Sequence, residues 1–167
     1  MFRFRLLSFL APRMVDAIAM AILNAGDDAP SFDLETDTGE RVSSGSLQGK
    51  PIVLFFYPKD DTPGCTIECK EFRDAKAAFE ERAFVFGISP DDVASHQAFR
   101  DKYALNFPLL SDVGHQVADA FGVWAERKPG SFGILRTTFI IRDGKVARVF
   151  PSVKPEGHAA EVLSSLG

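Results

Sequence analysis

The sequence has only two cysteines, Cys65 and Cys69, among 167 residues. That is too few for a secreted disulfide scaffold. A close cysteine pair in a reducing compartment more often serves catalysis or metal binding. Zinc would need about four ligands, and no histidine stands near this pair in sequence. The three histidines, His96, His115 and His158, are scattered and read as ordinary surface or helix-end residues. No metal site is therefore expected. A basic excess is also lacking: the net charge is −4, with both signs interspersed. Without a basic stripe, nucleic-acid binding is set aside. No run reaches the ~20 apolar residues of a spanning helix. Internal repeats and low-complexity linkers are missing too.

What is present suits one domain with a full core. The chain is 46% hydrophobic and carries 16 phenylalanines, most of which belong inside. The first 22 residues stand apart as an extension, with the domain expected over 23–167. "MFRFRLLSFLAPR" opens with two arginines and a short apolar run broken at Pro12 and Arg13. It is short for a signal peptide, and "AILNAG" is a loose cleavage match. Three readings stay open: an amphipathic or apolar extension, a weak export signal, or a start assigned too far upstream, with Met14 and Met20 as later starts.

The pattern then alternates strand and helix. "APSFDLETDTGERVSS" predicts an N-terminal β-hairpin turning at Asp37–Gly39. "PIVLFFYP" is the continuous apolar run of a strand buried on both faces. "CTIECKEFRDAKAAFEER" predicts one helix, with Ile67, Phe72, Ala75, Ala78 and Phe79 as its apolar face. "AFVFGIS" and "FPLLSD" are further strands. "DDVASHQAFRDKYAL" is a helix starting near Asp91 or Asp92, and "GHQVADAFGVW" a helix ending near Gly122. "RTTFIIRDGKVARVF" is a hairpin around Asp143-Gly144, and "EGHAAEVLSSL" a final helix. Together they predict an α/β domain with a mixed central sheet flanked by helices.

The chemistry centres on "YPKDDTPGC". A strand ends at Tyr57-Pro58, a loop follows, and a helix begins near Pro63 to Cys65. Pro63 suits the first helical position and Thr62 the N-cap. Cys65 then sits in the first turn, where free N–H groups and the helix dipole favour an anion. A free thiol with pKa near 8.5 is only about 3% ionised at pH 7. A shift to about 6 would make roughly 90% of it thiolate, and a helix N-terminus with a nearby Arg can do this. The competing reading is a buried structural cysteine. The Thr-Pro-Gly before Cys65 weighs against it.

These residues resemble a known family. Pro58 to Cys65 matches the Pro-x-x-x-Thr-x-x-Cys signature of the peroxiredoxins. "YPKDDTPGC", "FPLLSD", "FGVW" and "RTTFII" are similar to the bacterioferritin-comigratory-protein, or peroxiredoxin Q, subgroup, from about Ala25 to the C-terminus. The resemblance implies a thioredoxin-like fold and a thiol peroxidase acting on hydrogen peroxide and organic hydroperoxides. It makes Cys65 the peroxidatic cysteine, which becomes a sulfenic acid. Thr62 would hold the peroxide, Pro58 would shield the sulfur, and Arg136 would stand beside the thiolate. The N–H groups of Gly64 and Cys65, with Arg136, would be donors to the developing charge. Arg73 and Glu68 read first as exposed helix charges.

Many members of the subgroup carry a resolving cysteine five residues after the first. Here that position is Lys70, and Cys69 stands at four. Helical residues i and i+4 have Cβ atoms about 5–6 Å apart, whereas a disulfide wants about 3.8 Å. A Cys65–Cys69 disulfide therefore needs local unwinding. It is carried forward as a hypothesis beside a one-cysteine cycle in which Cys69 is structural. No cofactor is expected. Electrons would come from thioredoxin, glutaredoxin or a small thiol. A monomer or weak homodimer in the cytoplasm is the expectation, with export or membrane association if the N-terminal segment is functional. A general thiol-disulfide oxidoreductase is the rival function, but that chemistry usually uses Cys-x-x-Cys.

Overall fold

The computed structural model describes residues 22–167. The proposed N-terminal extension lies outside the described residues but for Ile22.

Among the described residues, nine strands and five α-helices follow one another. They are β1 (Asp33–Thr36), β2 (Arg41–Ser43), β3 (Ile52–Phe56), α1 (Pro63–Asp74), α2 (Lys76–Phe79), β4 (Phe84–Ser89), α3 (Val93–Tyr103) and β5 (Leu109–Ser111). Then come α4 (Gln116–Ala120), β6 (Trp124–Lys128), β7 (Ser131–Ile134), β8 (Thr137–Arg142), β9 (Lys145–Phe150) and α5 (His158–Ser165). Seven strands form one mixed sheet in the order β2-β1-β5-β4-β3-β8-β9. Strands β3, β4 and β5 run parallel, while β8 lies antiparallel on the other side of β3. The N-terminal hairpin is β1–β2. A separate hairpin, β6–β7, was not anticipated by the sequence reading.

The run Ile52–Phe56 becomes the central strand because every residue in it finds apolar neighbours. Its side chains alternate between faces. Val53, Phe55 and Tyr57 join the core under α1, α3 and α5, with Phe72, Phe99 and Val162. Ile52, Leu54 and Phe56 join the opposite core, with Val117, Phe121 and Phe139. Phe55 stacks on Phe72 at 4.3 Å between ring centroids. Gly87 in β4 is required by this packing: a Cβ there would lie 2.9 Å from the Phe55 ring. The Asp143-Gly144 turn has φ of 51° and 74°, the two positive values of a tight hairpin turn.

Two expectations are corrected. The long helix of residues 65–82 breaks at Ala75 into α1 and α2. Its buried face matches the one read from the sequence only in part: Phe72, Ala75 and Phe79 pack inward as read. Cys65, Glu68, Cys69 and Phe72 point inward at i, i+3, i+4 and i+7, whereas Ile67 and Ala78 are exposed. An apolar count could not select this face, because it includes a glutamate. Likewise, His115 does sit at a helix end, stacked on Trp124 at 3.8 Å. His96 is fully buried on α3, and His158 opens α5 but is buried.

Candidate active site

The site forms where β3 ends. The chain leaves Tyr57, turns through Pro58–Asp61 and enters α1 at Pro63. Thr62 takes the N-cap position in extended conformation, as predicted. Its hydroxyl does not cap the helix. It donates instead to the Lys59 carbonyl at 2.8 Å. Asp61 has φ of 54°, and its carboxylate accepts from Lys102 and the Tyr103 hydroxyl, both at 2.7 Å. The loop is thereby tied to α3.

Cys65 lies in the first turn of α1 and is fully buried. Arg136 reaches it because β8 is antiparallel to β3: Thr137, the first residue of β8, pairs with Phe56, the last of β3. Arg136 therefore stands at the mouth of the same strand end. Its Nη2 donates to Cys65 Sγ at 3.2 Å, and its Nη1 donates to Glu68 Oε2. The guanidinium thus spans the thiol and a carboxylate one turn further along α1. Gly64 leaves room for this. A Cβ there would fall 3.1 Å from Arg136 Nη2 and 3.3 Å from Pro155 Cγ. Pro58 and Thr62 are half-buried on the incoming loop.

Glu68 was expected to be an exposed charge, and that reading is corrected. Its side chain is fully buried, and one carboxylate oxygen, Oε1, has no partner. Burial pushes its pKa up to about 7, against the pull of Arg136. An ion pair alone would lower a carboxylate, so here desolvation wins over attraction. Burial also works against the Arg136 charge, but Glu68 and Cys65 together hold its pKa above the ordinary value. Arg73, by contrast, is partly exposed and donates to the Tyr103 carbonyl.

Glu68 therefore carries a pH signature. Its folded pKa is raised, so between about 4.5 and 7 the folded state holds a proton that the unfolded chain has lost. This group's share of stability falls as pH rises through that window. Glu68→Gln is expected to flatten the pH dependence of the melting temperature between about pH 5 and 8. Thermal melts at several pH values check it.

Cys69 is on the same face of α1 and fully buried, and both cysteines are free thiols. Burial, then the charge of Glu68, pushes the Cys69 thiol well above its ordinary range. The segment after β9 closes the site from the other side. Gly157 N–H donates to both Glu71 oxygens, at 2.9 and 3.0 Å. His158 Nε2 meets Thr138 Oγ1 at 2.7 Å. Burial, then Arg136, pushes His158 down to about 4, so it is neutral at pH 7. A cavity of ≈ 530 Å³ lies elsewhere, at the start of β3 near Lys50–Ile52. Its surroundings contain no cysteine.

A buried cysteine in a helix's first turn, held by an arginine from the neighbouring antiparallel strand, follows a loop that carries Pro-x-x-x-Thr-x-x-Cys. The chain matches the AhpC/TSA family over residues 25–149. It is 42% identical to peroxiredoxin Bcp of Bacillus subtilis over 149 residues, 86% of this chain and 95% of that one. The chain is a peroxiredoxin. It is also 41% identical to peroxiredoxin Bcp of Escherichia coli, over 86% of this chain and 96% of that protein. Among solved structures, a Cys-to-Ser mutant of Xylella fastidiosa PrxQ superposes with a TM-score of 0.83. It is 34% identical, over 87% of this chain and 96% of that one. The Xanthomonas campestris bacterioferritin comigratory protein, whose structure concerns alkyl peroxide reduction, is 35% identical with a TM-score of 0.77. That match covers 81% of this chain and 89% of the other.

This peroxiredoxin has the thioredoxin-like fold and is a thiol-dependent peroxidase of the Bcp/peroxiredoxin Q kind. The sequence reading of family, fold and activity stands. Among the described residues, no helix is long and apolar enough to cross a membrane.

Proposed function

We propose that Cys65 is the peroxidatic residue, and that Arg136, Thr62, Gly64 and Pro58 build the peroxide site around it. The observation that carries this reading is the partly buried Arg136 guanidinium, which donates to Cys65 Sγ while it is held by the buried Glu68. Cys65 Sγ, as thiolate, attacks the terminal oxygen of the hydroperoxide. The S–O bond forms as the O–O bond breaks. Cys65 becomes a sulfenic acid, and the departing alkoxide or hydroxide takes a proton to leave as alcohol or water. Charge moves from sulfur to the leaving oxygen, and Arg136 Nη2 and the free N–H groups of the first turn are fixed donors along that path. Thr62 has its proton committed to the Lys59 carbonyl, so its lone pairs are free to accept from the peroxide O–H. Pro58 offers no N–H and covers the sulfur.

For the second half of the cycle, burial and the raised pKa of Cys69 support direct reduction of the sulfenic acid by an external thiol. A Cys65–Cys69 disulfide is the second reading, favoured by their shared helix face. It requires the first turns of α1 to unwind. We take thioredoxin as the reductant, a small thiol or glutaredoxin being the alternatives, and a monomeric or weakly dimeric protein of the cytoplasm. Residues 23–167 form the catalytic domain.

Intact mass and free-thiol count after one equivalent of peroxide, on the full chain and on Cys69→Ser, test the cycle. A gain of one oxygen with Cys69 still free supports the one-cysteine route. A loss of two hydrogens with both thiols gone establishes the disulfide. No rapid change at Cys65 in either protein sinks the reading.

A further inference from the structure

We infer that Asp60 and His96 form a positioning pair that holds the Pro58–Thr62 loop in register with Cys65, and so governs reaction with peroxide without touching it. This rests on the reading of Cys65, Thr62 and Pro58 given above.

Asp60 sits at the middle of that loop, two residues from Pro58 and two from Thr62, yet it is buried. Its carboxylate and its backbone N–H are engaged by three neighbouring segments. Its Oδ1 accepts from the Tyr57 hydroxyl at 2.6 Å, at the end of β3. Its Oδ2 accepts from Ser95 Oγ at 2.8 Å and meets His96 Nδ1 at 2.7 Å, both on α3. Its backbone N–H donates to Asp91 Oδ2 at 2.9 Å, and Ser89 Oγ donates to the same oxygen at 2.6 Å, after β4. His96 Nε2 meets the Leu110 carbonyl of β5 at 3.0 Å. A carbonyl only accepts, so Nε2 carries a proton. Nδ1 faces a carboxylate oxygen that already accepts one hydroxyl, so a second proton lies between His96 and Asp60. The loop is thus pinned by one charged pair to the ends of three parallel strands.

Asp60, Asp91 and His96 also bring their ligand atoms close enough to suggest a metal site. The protein already satisfies those atoms, and His96 is sealed from solvent, so the cluster serves the fold's own loop. A buried ion pair is a poor source of stability, since an apolar replacement is often as stable. What this pair supplies is a defined loop position. A misplacement of about 1 Å in a catalytic constellation costs ~100-fold in rate.

The pair has a pH range. Around it stand the Tyr57 phenol, the Asp91 carboxylate and, on α1, the Cys69 thiol. Among the described residues no lysine or arginine bonds to Asp60 or Asp91. Burial opposes a charged His96, but the bond to Asp60 outweighs it and raises its pKa above 6.5. A raised histidine keeps its contribution below its unfolded pKa of about 6.5 and loses it as pH climbs through the higher folded pKa. The pair therefore holds the loop while His96 is protonated and loosens its hold as His96 loses its proton.

The test compares two reactions of the same sulfur. Iodoacetamide alkylation needs only a thiolate it can reach, which a loosened loop would not hinder, whereas peroxide also needs the loop in register. In reduced full-length protein, Asp60→Asn and His96→Gln are each expected to slow oxidation by hydrogen peroxide about tenfold or more. Alkylation of Cys65 should fall by no more than about twofold, and a loosened loop would only raise it. The fall in the wild-type peroxide rate that follows deprotonation of His96 should be gone from both variants. Should these fail to fold, Tyr57→Phe removes one hydroxyl from Asp60 and keeps the ring in the core. It should show the same selective loss, by about threefold. Folded variants that keep the peroxide rate, or lose both rates in parallel, overturn the proposal. Peroxide consumption that survives Cys65→Ser would overturn the underlying reading instead.

Discussion

Cys65→Ser protein is expected to reduce peroxide no faster than background, while folding as wild type does. Serine's hydroxyl is a weak nucleophile without an adjacent base, and among the described residues the side chain bonded to this position is Arg136. Arg136 donates to it and cannot accept a proton. The fold should tolerate the change. A buried hydroxyl needs a partner, and Arg136 Nη2 already points at that site. The melting temperature should therefore move little. A peroxide-consumption assay with excess thioredoxin or dithiothreitol, run beside a thermal melt, checks both halves. Retained turnover would move the chemistry elsewhere.

Arg136→Met should show the next largest effect, in two separable parts. Loss of a preorganised donor to developing charge typically costs about 3 kcal/mol, ~100-fold in rate. The other part is stability. Glu68 is buried and loses its ion partner, and breaking such a pair from one side costs about 3–5 kcal/mol. Protonation relieves some of this, because the Glu68 pKa already stands at about 7 and rises further without the arginine. The variant should thus be least stable at alkaline pH. Adding Glu68→Gln removes the orphaned charge. The double variant should recover most of the stability and almost none of the rate. Recovery of both together would show that Arg136 acts through folding alone.

The sequence carried the site's skeleton because its parts are local. Thr62, Pro63, Gly64 and Cys65 are contiguous, and their order alone sets a cysteine in a helix's first turn. Strand β3 was legible for a similar reason, being apolar at every position. The hidden parts depend on which elements the topology brings together. Glu68 looked like any helix glutamate, and only the antiparallel docking of β8 gives it Arg136. Asp60 looked like a turn residue and His96 like a helix surface residue, yet they meet across 36 positions. A faint signal existed for His96: it lies three residues before Phe99 on α3, and both are buried. The β6–β7 hairpin went unread although Pro129-Gly130 is a turn dipeptide, because its strands carry Glu126, Arg127 and Lys128 and little apolar alternation.

The central claim is that Cys65 Sγ is the atom that takes oxygen from peroxide. The most direct test adds one equivalent of hydrogen peroxide to reduced Cys69→Ser protein with dimedone, a trap for sulfenic acids, and maps the adduct by peptide mass. The account predicts one adduct, on the peptide that carries Cys65, formed as fast as peroxide disappears. Peroxide that disappears at the wild-type rate with Cys65 still free and reduced would contradict it.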